Sequence, residues 1–175
     1  MEIYSGELQT PFGKFSFYCG DNFIIRLLFE DDNTAQAMER MKKQLGEFVL
    51  CGENAMTRRC ACELAAYFSG SLRQFTLPCR LEGTEFEKKV WRALMKIPYG
   101  STVSYAQLGM SAGVCGPRAV GNAVGKNPLP VVIPCHRVIH ADGSLGGFSS
   151  GLHNKVMLLR LEGVPVKKLK IPADL

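Results

Sequence analysis

The sequence has few of the residues from which metal sites and exported folds are built. It contains only three histidines, none of them placed as a ligand pair near a cysteine pair, so we expect no metal site. Its seven cysteines are odd in number and show no framework spacing, which argues against a disulfide-stapled domain. No apolar run reaches membrane-spanning length, and no basic stretch leads into an apolar one at the start. We therefore expect an intracellular protein without a membrane partner, cytoplasmic or, in a eukaryote, nuclear.

Charge is distributed unevenly along the chain. Residues 1–83 contain nine Lys/Arg and eleven Asp/Glu, whereas residues 84–175 contain twelve Lys/Arg and five Asp/Glu. The second part therefore carries an excess of positive charge, which favours a polyanionic partner, nucleic acid first. The excess is moderate, so the alternative that it only solvates the surface stays open at this point.

The first part of the chain predicts a small α/β domain over residues 1–82. Apolar strand-like segments are broken at 10–13 and at 19–22, the second of which has the composition of a hairpin turn, and this indicates a hairpin-rich sheet. Two helices are predicted after it, over about 34–45 and 55–68, each followed by a glycine. Nothing in this domain has catalytic spacing, so we expect it to support the rest.

A second, mostly helical domain is predicted over residues 83–175, which makes the whole fold α+β or α/β. Thr84, with a glutamate three residues later, forms a capping box for its first helix. Ser104 caps a short helix that ends before Gly113, and another short helix begins at Pro117. Two short helices joined by a glycine-containing turn are typical of a helix-turn-helix, although such pairs are also common as plain structure.

The strongest chemical signal is the segment 134–138, which reads Pro-Cys-His-Arg-Val. The apolar residues before it predict a buried strand over 131–133 that delivers Cys135 to a turn at a cleft, because the proline halts sheet pairing. His136 and Arg137 are neighbours that help to form a thiolate. A lone Cys-His pair is more often an inert core thiol than a catalytic one, so its partners have to come from elsewhere in the chain.

The order of these features resembles the O(6)-alkylguanine-DNA alkyltransferases, also called methylated-DNA–protein-cysteine methyltransferases. The matching features are the helix-turn-helix, Asn127-Pro128, the segment 134–138, a Gly/Ser loop at 146–151 and Leu-Glu-Gly at 161–163. The resemblance is close from Gly83 to Gly163 and loose before that. It implies repair of DNA in which Cys135 takes an alkyl group from a guanine oxygen in one irreversible step, without a cofactor.

The resemblance implies a catalytic set of five residues. Cys135 is the nucleophile, and His136 takes the thiol proton through a water molecule. Glu162 orients that histidine and stabilises its charge. Asn127 ties the helix-turn-helix to the active-site turn, and the hydroxyl of Tyr105 helps to neutralise the leaving guanine.

The resemblance also implies a substrate- and DNA-binding set. Arg118 enters the base stack when the damaged base is flipped out, and the second short helix lies in the minor groove. Val138 offers a carbonyl to the base, Phe148 forms a wall, and Ser149 donates to the guanine oxygen. The full set is Ser104, Arg118, Ala119, Gly121, Val138, Phe148, Ser149 and Lys155, with Pro134 and Arg137 implied as structural residues.

The implied partner is double-stranded DNA carrying alkylated guanine, with O(4)-alkylthymine as a further substrate, and the expected state is a monomer. Two departures affect the range of alkyl groups: Phe148 stands where many members have tyrosine, and Ser150 stands where glycine is common. Two other classes stay open, a non-catalytic protein that binds alkylated DNA and a cysteine hydrolase that uses Cys135.

Overall fold

The chain divides into two units, Met1–Gly83 and Thr84–Leu175. The computed structural model describes residues 1–165 and 169–172, so the end of the predicted second domain lies outside the described residues. The first unit combines a sheet with two helices and the second is mainly helical, which confirms the predicted fold class. Among the described residues, no helix is both long enough and apolar enough to cross a membrane.

The first unit is built on a four-stranded sheet. Its strands are β1 (Glu2–Thr10), β2 (Gly13–Cys19), β3 (Ile24–Phe29) and β4 (Val49–Cys51). They lie in the order β3-β2-β1-β4, in which β1, β2 and β3 form an antiparallel meander and β4 joins parallel to β1. The meander and its turns confirm the predicted hairpins, whereas β4 was not predicted, since three residues carry no clear alternation.

Two helices cover this sheet, α1 (Thr34–Leu45) and α2 (Ala55–Phe68). Each begins at an asparagine whose side chain accepts a backbone N–H of the first turn, Asn33 for α1 and Asn54 for α2. The ring of Phe68 on α2 lies 4.7 Å from the ring of Phe15 on one face of the sheet. Helix α1 packs on the other face, which carries Tyr18. Both faces of the sheet are therefore buried, which is why all six residues of β3 are buried.

In its described residues, the second unit contains four α-helices and one pair of very short strands. They are α3 (Glu85–Leu94), β5 (Val103–Ser104), α4 (Tyr105–Ala112), α5 (Pro117–Gly125), β6 (Val138–Ile139) and α6 (Leu152–Leu161). Helices α3, α4 and α5 pack on one another, and the indole N–H of Trp91 on α3 donates to the carbonyl of Ala123 on α5 at 2.8 Å. The turn between α4 and α5 has glycines with positive φ at Gly113 and Gly116, as the helix-turn-helix pattern requires.

The strand predicted over 131–133 is wrong. These residues are buried, but they form a tight turn in which Val131 has a φ of 74° and the N–H of Ile133 donates to the carbonyl of Leu129 at 2.8 Å. The turn replaces a strand because the Asn127 side chain binds the N–H of Leu129 and the carbonyl of Ile133, two groups that a sheet would otherwise pair. Cys135 follows at the start of a short 3₁₀ turn, Cys135–Arg137, which leads into β6.

Candidate active site

Cys135 forms part of the wall of a cavity of about 560 Å³ in the second unit. Only 3% of the residue is exposed, so the cavity is the side from which a ligand meets the sulfur. The cavity is lined by Tyr105, Pro117, Arg118, Gly121, Val124, Gly125, Cys135, His140, Gly147, Phe148 and Ser149. The helix-turn-helix and the loop before α6 therefore face each other across the sulfur.

Asn127 holds the sulfur from the side of α5. Its Nδ2 donates to Sγ of Cys135 at 3.1 Å and to the carbonyl of Ile133 at 2.7 Å, and its Oδ1 accepts the N–H of Leu129 at 3.0 Å. Asn127 comes two residues after the end of α5, so this single side chain joins the helix to the active-site turn.

A buried ionic network lies directly behind the 3₁₀ turn. The carboxylate of Glu162 lies 2.8 Å from Nε2 of His136, and it accepts from the Arg137 guanidinium at 2.8 and 2.9 Å and from the N–H of Gly100 at 3.0 Å. Arg137 also donates to the carbonyl of Ile97 at 2.6 Å. Each of these hydrogen bonds favours the charged form of the carboxylate.

Burial controls the protonation of both His136 and Cys135. Burial lowers the pKa of His136, while the bond to Glu162 opposes that change. The neutral imidazole therefore donates its Nε2–H to the carboxylate and carries its basic lone pair on Nδ1. Burial raises the pKa of Cys135 to about 11, against the opposing effects of the Asn127 hydrogen bond and the Lys155 charge. At neutral pH the sulfur is a thiol and needs a base.

Lys155 is the residue whose position differs most from its expected role. The sequence resemblance puts it in the substrate- and DNA-binding set, but the structure buries it completely. Its ammonium donates to the carbonyls of Val138, at 2.6 Å, of Leu145 and of Gly147, at 3.3 Å. Burial lowers the pKa of Lys155 to about 8. The side chain therefore fastens the cavity loop to β6 from inside and does not present its charge to a DNA surface.

Tyr105 stands opposite this loop at the start of α4. Burial raises the pKa of its hydroxyl, and the backbone N–H of Gly147 donates to it. Gly146 next to it has a φ of 67°, and a Cβ there would lie 2.7 Å from the Tyr105 hydroxyl. The glycine is therefore required both by its backbone conformation and by the close approach of the tyrosine.

The structure brings together eleven of the fifteen residues predicted for the site. Six of them line the cavity: Tyr105, Arg118, Gly121, Cys135, Phe148 and Ser149. Asn127, His136, Arg137 and Glu162 form the buried layer behind it, and Pro134 precedes the 3₁₀ turn. Ser150 is buried but is not among the lining residues, so its side chain does not narrow the cavity.

Besides Lys155, three predicted binding residues lie outside the cavity wall. Ser104 accepts the N–H of Gln107 at 3.2 Å as the cap of α4, and Ala119 is exposed on α5. Val138 is fully buried, and its carbonyl accepts from Lys155. His140 and Pro117 line the cavity although the sequence did not indicate them. Within the described part of the chain, no cluster of His, Cys, Asp or Glu side chains has the arrangement to hold a metal ion.

Comparisons with known proteins agree with one another. The family described as "6-O-methylguanine DNA methyltransferase, DNA binding domain" matches residues 85–164. A methylated-DNA–protein-cysteine methyltransferase of Methanosarcina barkeri is 51% identical over 106 residues, which are 60% of this chain and 67% of the relative. The crystal structure of the O6-methylguanine methyltransferase of Mycobacterium tuberculosis has a TM-score of 0.78 and 32% identity, covering 98% of this chain and 96% of that one.

A structure of the Mycobacterium tuberculosis OGT in complex with DNA is similar over 99% of this chain and 97% of that chain, with a TM-score of 0.77 and 30% identity. These likenesses extend through both units, whereas the sequence resemblance was close only in the second. The chain therefore belongs to the methylated-DNA–protein-cysteine methyltransferase family of enzymes.

Proposed function

We propose that this chain repairs alkylated guanine in double-stranded DNA by moving the alkyl group from the guanine oxygen to Sγ of its own Cys135, once per molecule. The observation that carries this proposal is the cavity of about 560 Å³ with the sulfur in its wall and the His136–Glu162 pair directly behind. A volume of this size is ordinary for a small-molecule site and holds a single base. The relatives named above support the reaction class.

The transfer begins with removal of the thiol proton, because the pKa of Cys135 is about 11. His136 is the base, acting through a water molecule as the family resemblance implies, and Glu162 stabilises the imidazolium that forms. A sulfur lone pair then forms the S–C bond to the alkyl carbon, and the O–C bond breaks with its electrons left on guanine. Nothing in this chemistry removes the alkyl group from the thioether, so each chain reacts once.

The leaving guanine carries the electrons of the broken bond and needs a proton. The hydroxyl of Tyr105 supplies it, because burial raises the pKa of this hydroxyl and keeps it protonated. Ser149 and Phe148 line the same cavity and give a hydroxyl donor and an aromatic wall for the base. O(4)-alkylthymine has the same alkyl–oxygen bond and is proposed as a second substrate.

Access to the guanine oxygen requires the base to leave the duplex. Arg118 is exposed at the start of α5 and lines the cavity that also contains the sulfur. We assign Arg118 to the gap that the extruded base leaves, and the small residues Ala119 and Gly121 to the minor-groove face of α5. The excess positive charge of the second part of the chain favours binding to the phosphate backbone. We propose that the protein acts as a monomer in the cytoplasm.

The test is the mass of the intact protein after incubation with a duplex that contains methylated guanine, followed by mapping of its peptides. We expect one added methyl, on the peptide that carries Cys135, and none on a Cys135→Ser variant that still binds DNA. Cys115→Ser is the matched control, since Cys115 is exposed in the turn before α5. DNA binding without any methyl gain indicates the non-catalytic class, and substrate hydrolysis with an unchanged protein mass indicates the hydrolase.

A further inference from the structure

His140 is a cavity residue that the proposed transfer does not yet use. It follows β6 directly, and its ring packs on Tyr105 with the centroids 5.2 Å apart and the planes 46° apart. It lines the cavity that contains Cys135, and it is exposed to solvent. Its backbone N–H donates to the carbonyl of Ser144 at 2.8 Å, and its carbonyl accepts the N–H of Gly143 at 3.0 Å. A closed turn therefore fixes the backbone that carries the imidazole.

The imidazole and the Tyr105 hydroxyl approach the same point in space. A Cβ placed on Gly146 would lie 2.7 Å from the Tyr105 oxygen and 3.3 Å from Nε2 of His140. The oxygen and the nitrogen are thus at most about 6 Å apart, a gap that one bridging water can span. A side chain on residue 146 would collide with the Tyr105 hydroxyl and crowd Nε2 of His140, so the glycine keeps the space beside both groups open.

The reaction creates a need for a proton at this place. When the O–C bond breaks, guanine takes the proton of Tyr105 and leaves a phenolate. Burial makes that anion costly, as the raised pKa of Tyr105 shows. A cationic acid within reach of the oxygen removes this cost. Histidine is the side chain that gains and loses a proton between about pH 5 and 8, and an exposed one exchanges its proton with solvent.

We propose that His140 returns a proton to Tyr105 as Tyr105 gives its own proton to the leaving guanine. The inference rests on the proposed function. The O–H bond of Tyr105 breaks toward guanine, the N–H bond of the His140 imidazolium breaks toward the Tyr105 oxygen, and neutral His140 regains a proton from water. His140 acts through Tyr105, so it is a positioning residue and not a catalytic one.

The other charged groups near His140 do not take over this task. Arg118, from α5, and Cys135 share the cavity, but a guanidinium keeps its proton at all relevant pH values. Cys135 loses its proton in the same reaction to His136. Asp142, two residues after His140, accepts from the hydroxyl of Ser144 at 2.7 Å and pairs with Lys170 at 3.5 Å. An ionised carboxylate has no proton to give.

The experiment measures the single-turnover rate of methyl transfer to Cys135 from a methylated duplex as a function of pH. The variant His140→Gln keeps a polar side chain of similar size but has no titratable proton. We expect it to be at least about tenfold slower than wild type at the acidic end and to converge with wild type as the pH rises. His153→Gln, an exposed histidine on α6 that is not among the cavity residues, should follow the wild-type profile.

The same substitution made in a Tyr105→Phe protein separates the proposed proton transfer through Tyr105 from a general effect on the fold. In a Tyr105→Phe protein, His140→Gln should cause no further loss, because the group through which His140 acts is gone. The inference is overturned if His140→Gln matches wild type at every pH, if it is slower by one constant factor at every pH, or if it slows the Tyr105→Phe protein as much as wild type. If any of these results is found while wild-type Cys135 is still methylated, the inference fails but the proposed function stands. If wild-type Cys135 gains no methyl group, both the inference and the proposed function are wrong.

Discussion

The amide nitrogen of Asn127 lies 3.1 Å from Sγ of Cys135 and at the same time binds the backbone that carries this cysteine. Asn127 follows α5, the helix that brings Arg118 to the cavity. The position of the sulfur and the position of the proposed DNA-binding helix are therefore fixed by one buried side chain. The arrangement predicts that stability and reactivity depend on the same few residues.

Replacing Asn127 by alanine should lower the stability of the protein. The change leaves the carbonyl of Ile133 and the N–H of Leu129 buried without this partner. We expect a loss of about 2 to 4 kcal/mol in the free energy of unfolding, measured by urea denaturation. Asn122→Ala, an exposed change on α5, is the matched control and should stay within about 0.5 kcal/mol of wild type. Equal stability of both variants would show that the amide does not hold the turn.

Replacing Glu162 by glutamine should affect both folding and transfer. The variant leaves the guanidinium of Arg137 buried without its counter-charge and removes the anion that raises the pKa of His136. We expect about 3 kcal/mol lower stability and a slower transfer in single-turnover assays, because His136 becomes a weaker base. Glu85→Gln is the matched control, because the side chain of Glu85 is 76% exposed. Its free energy of unfolding should differ from wild type by less than about 1 kcal/mol. Wild-type transfer rates in the Glu162→Gln protein would remove the carboxylate from the mechanism.

Cys135 should react slowly with a general alkylating reagent in spite of its proposed role. It is buried and its pKa is raised to about 11, whereas Cys62 and Cys115 are exposed. Peptide mapping after brief iodoacetamide treatment at neutral pH should find Cys62 and Cys115 labelled first. The labelling rate of Cys135 should then rise about tenfold per pH unit as the thiolate fraction grows. Rapid labelling of Cys135 at neutral pH would mean that it is already a thiolate in the free protein.

Replacing Arg118 by alanine should harm repair of a duplex far more than reaction with the free base. Arg118 lines the cavity, whereas the network around Glu162 is buried behind it, so its proposed task is extrusion and not transfer. Transfer rates are compared for a methylated duplex and for O6-methylguanine as a free base, with Arg160→Ala, an exposed change on α6, as control. An equal loss with both substrates would argue against a role in base flipping.

The features that the sequence predicted well are those with local causes. The capping box of Thr84 and Glu87 places both of its hydrogen bonds at the start of α3, and Ser104 caps α4 as its position before the helix indicates. Each of these signals lies within four residues of the structure it determines, so no knowledge of distant contacts is needed.

The features that the sequence missed depend on distant contacts. The apolar run at 131–133 looks like a strand, but the Asn127 side chain pairs its backbone and makes a turn instead. Lys155 has an ordinary helical position, and only the three carbonyls around its ammonium show that it is buried. Glu162 was not missed, but it lies 26 residues after its partner His136, so only the family resemblance, and not the spacing, assigned it.

His140 was missed for a related reason. A single histidine after a short strand carries no local signal, and its meaning arises from Tyr105, 35 residues earlier, whose ring packs on it. Fold class, the reactive cysteine and, through the family resemblance, the buried residues behind it were thus accessible from the sequence. The contact of His140 with Tyr105 and the interior position of Lys155 were not, because only the folded chain brings those groups together.

The central claim is tested most directly by counting methyl groups. A fixed amount of protein is incubated with increasing amounts of duplex that contains labelled O6-methylguanine, and the label on the protein and in solution is measured. The account predicts that the label rises to one methyl per chain, all of it on Cys135, and then stops however much DNA is added. Continued release of methyl groups into solution, or a plateau with the label on another residue, would contradict it.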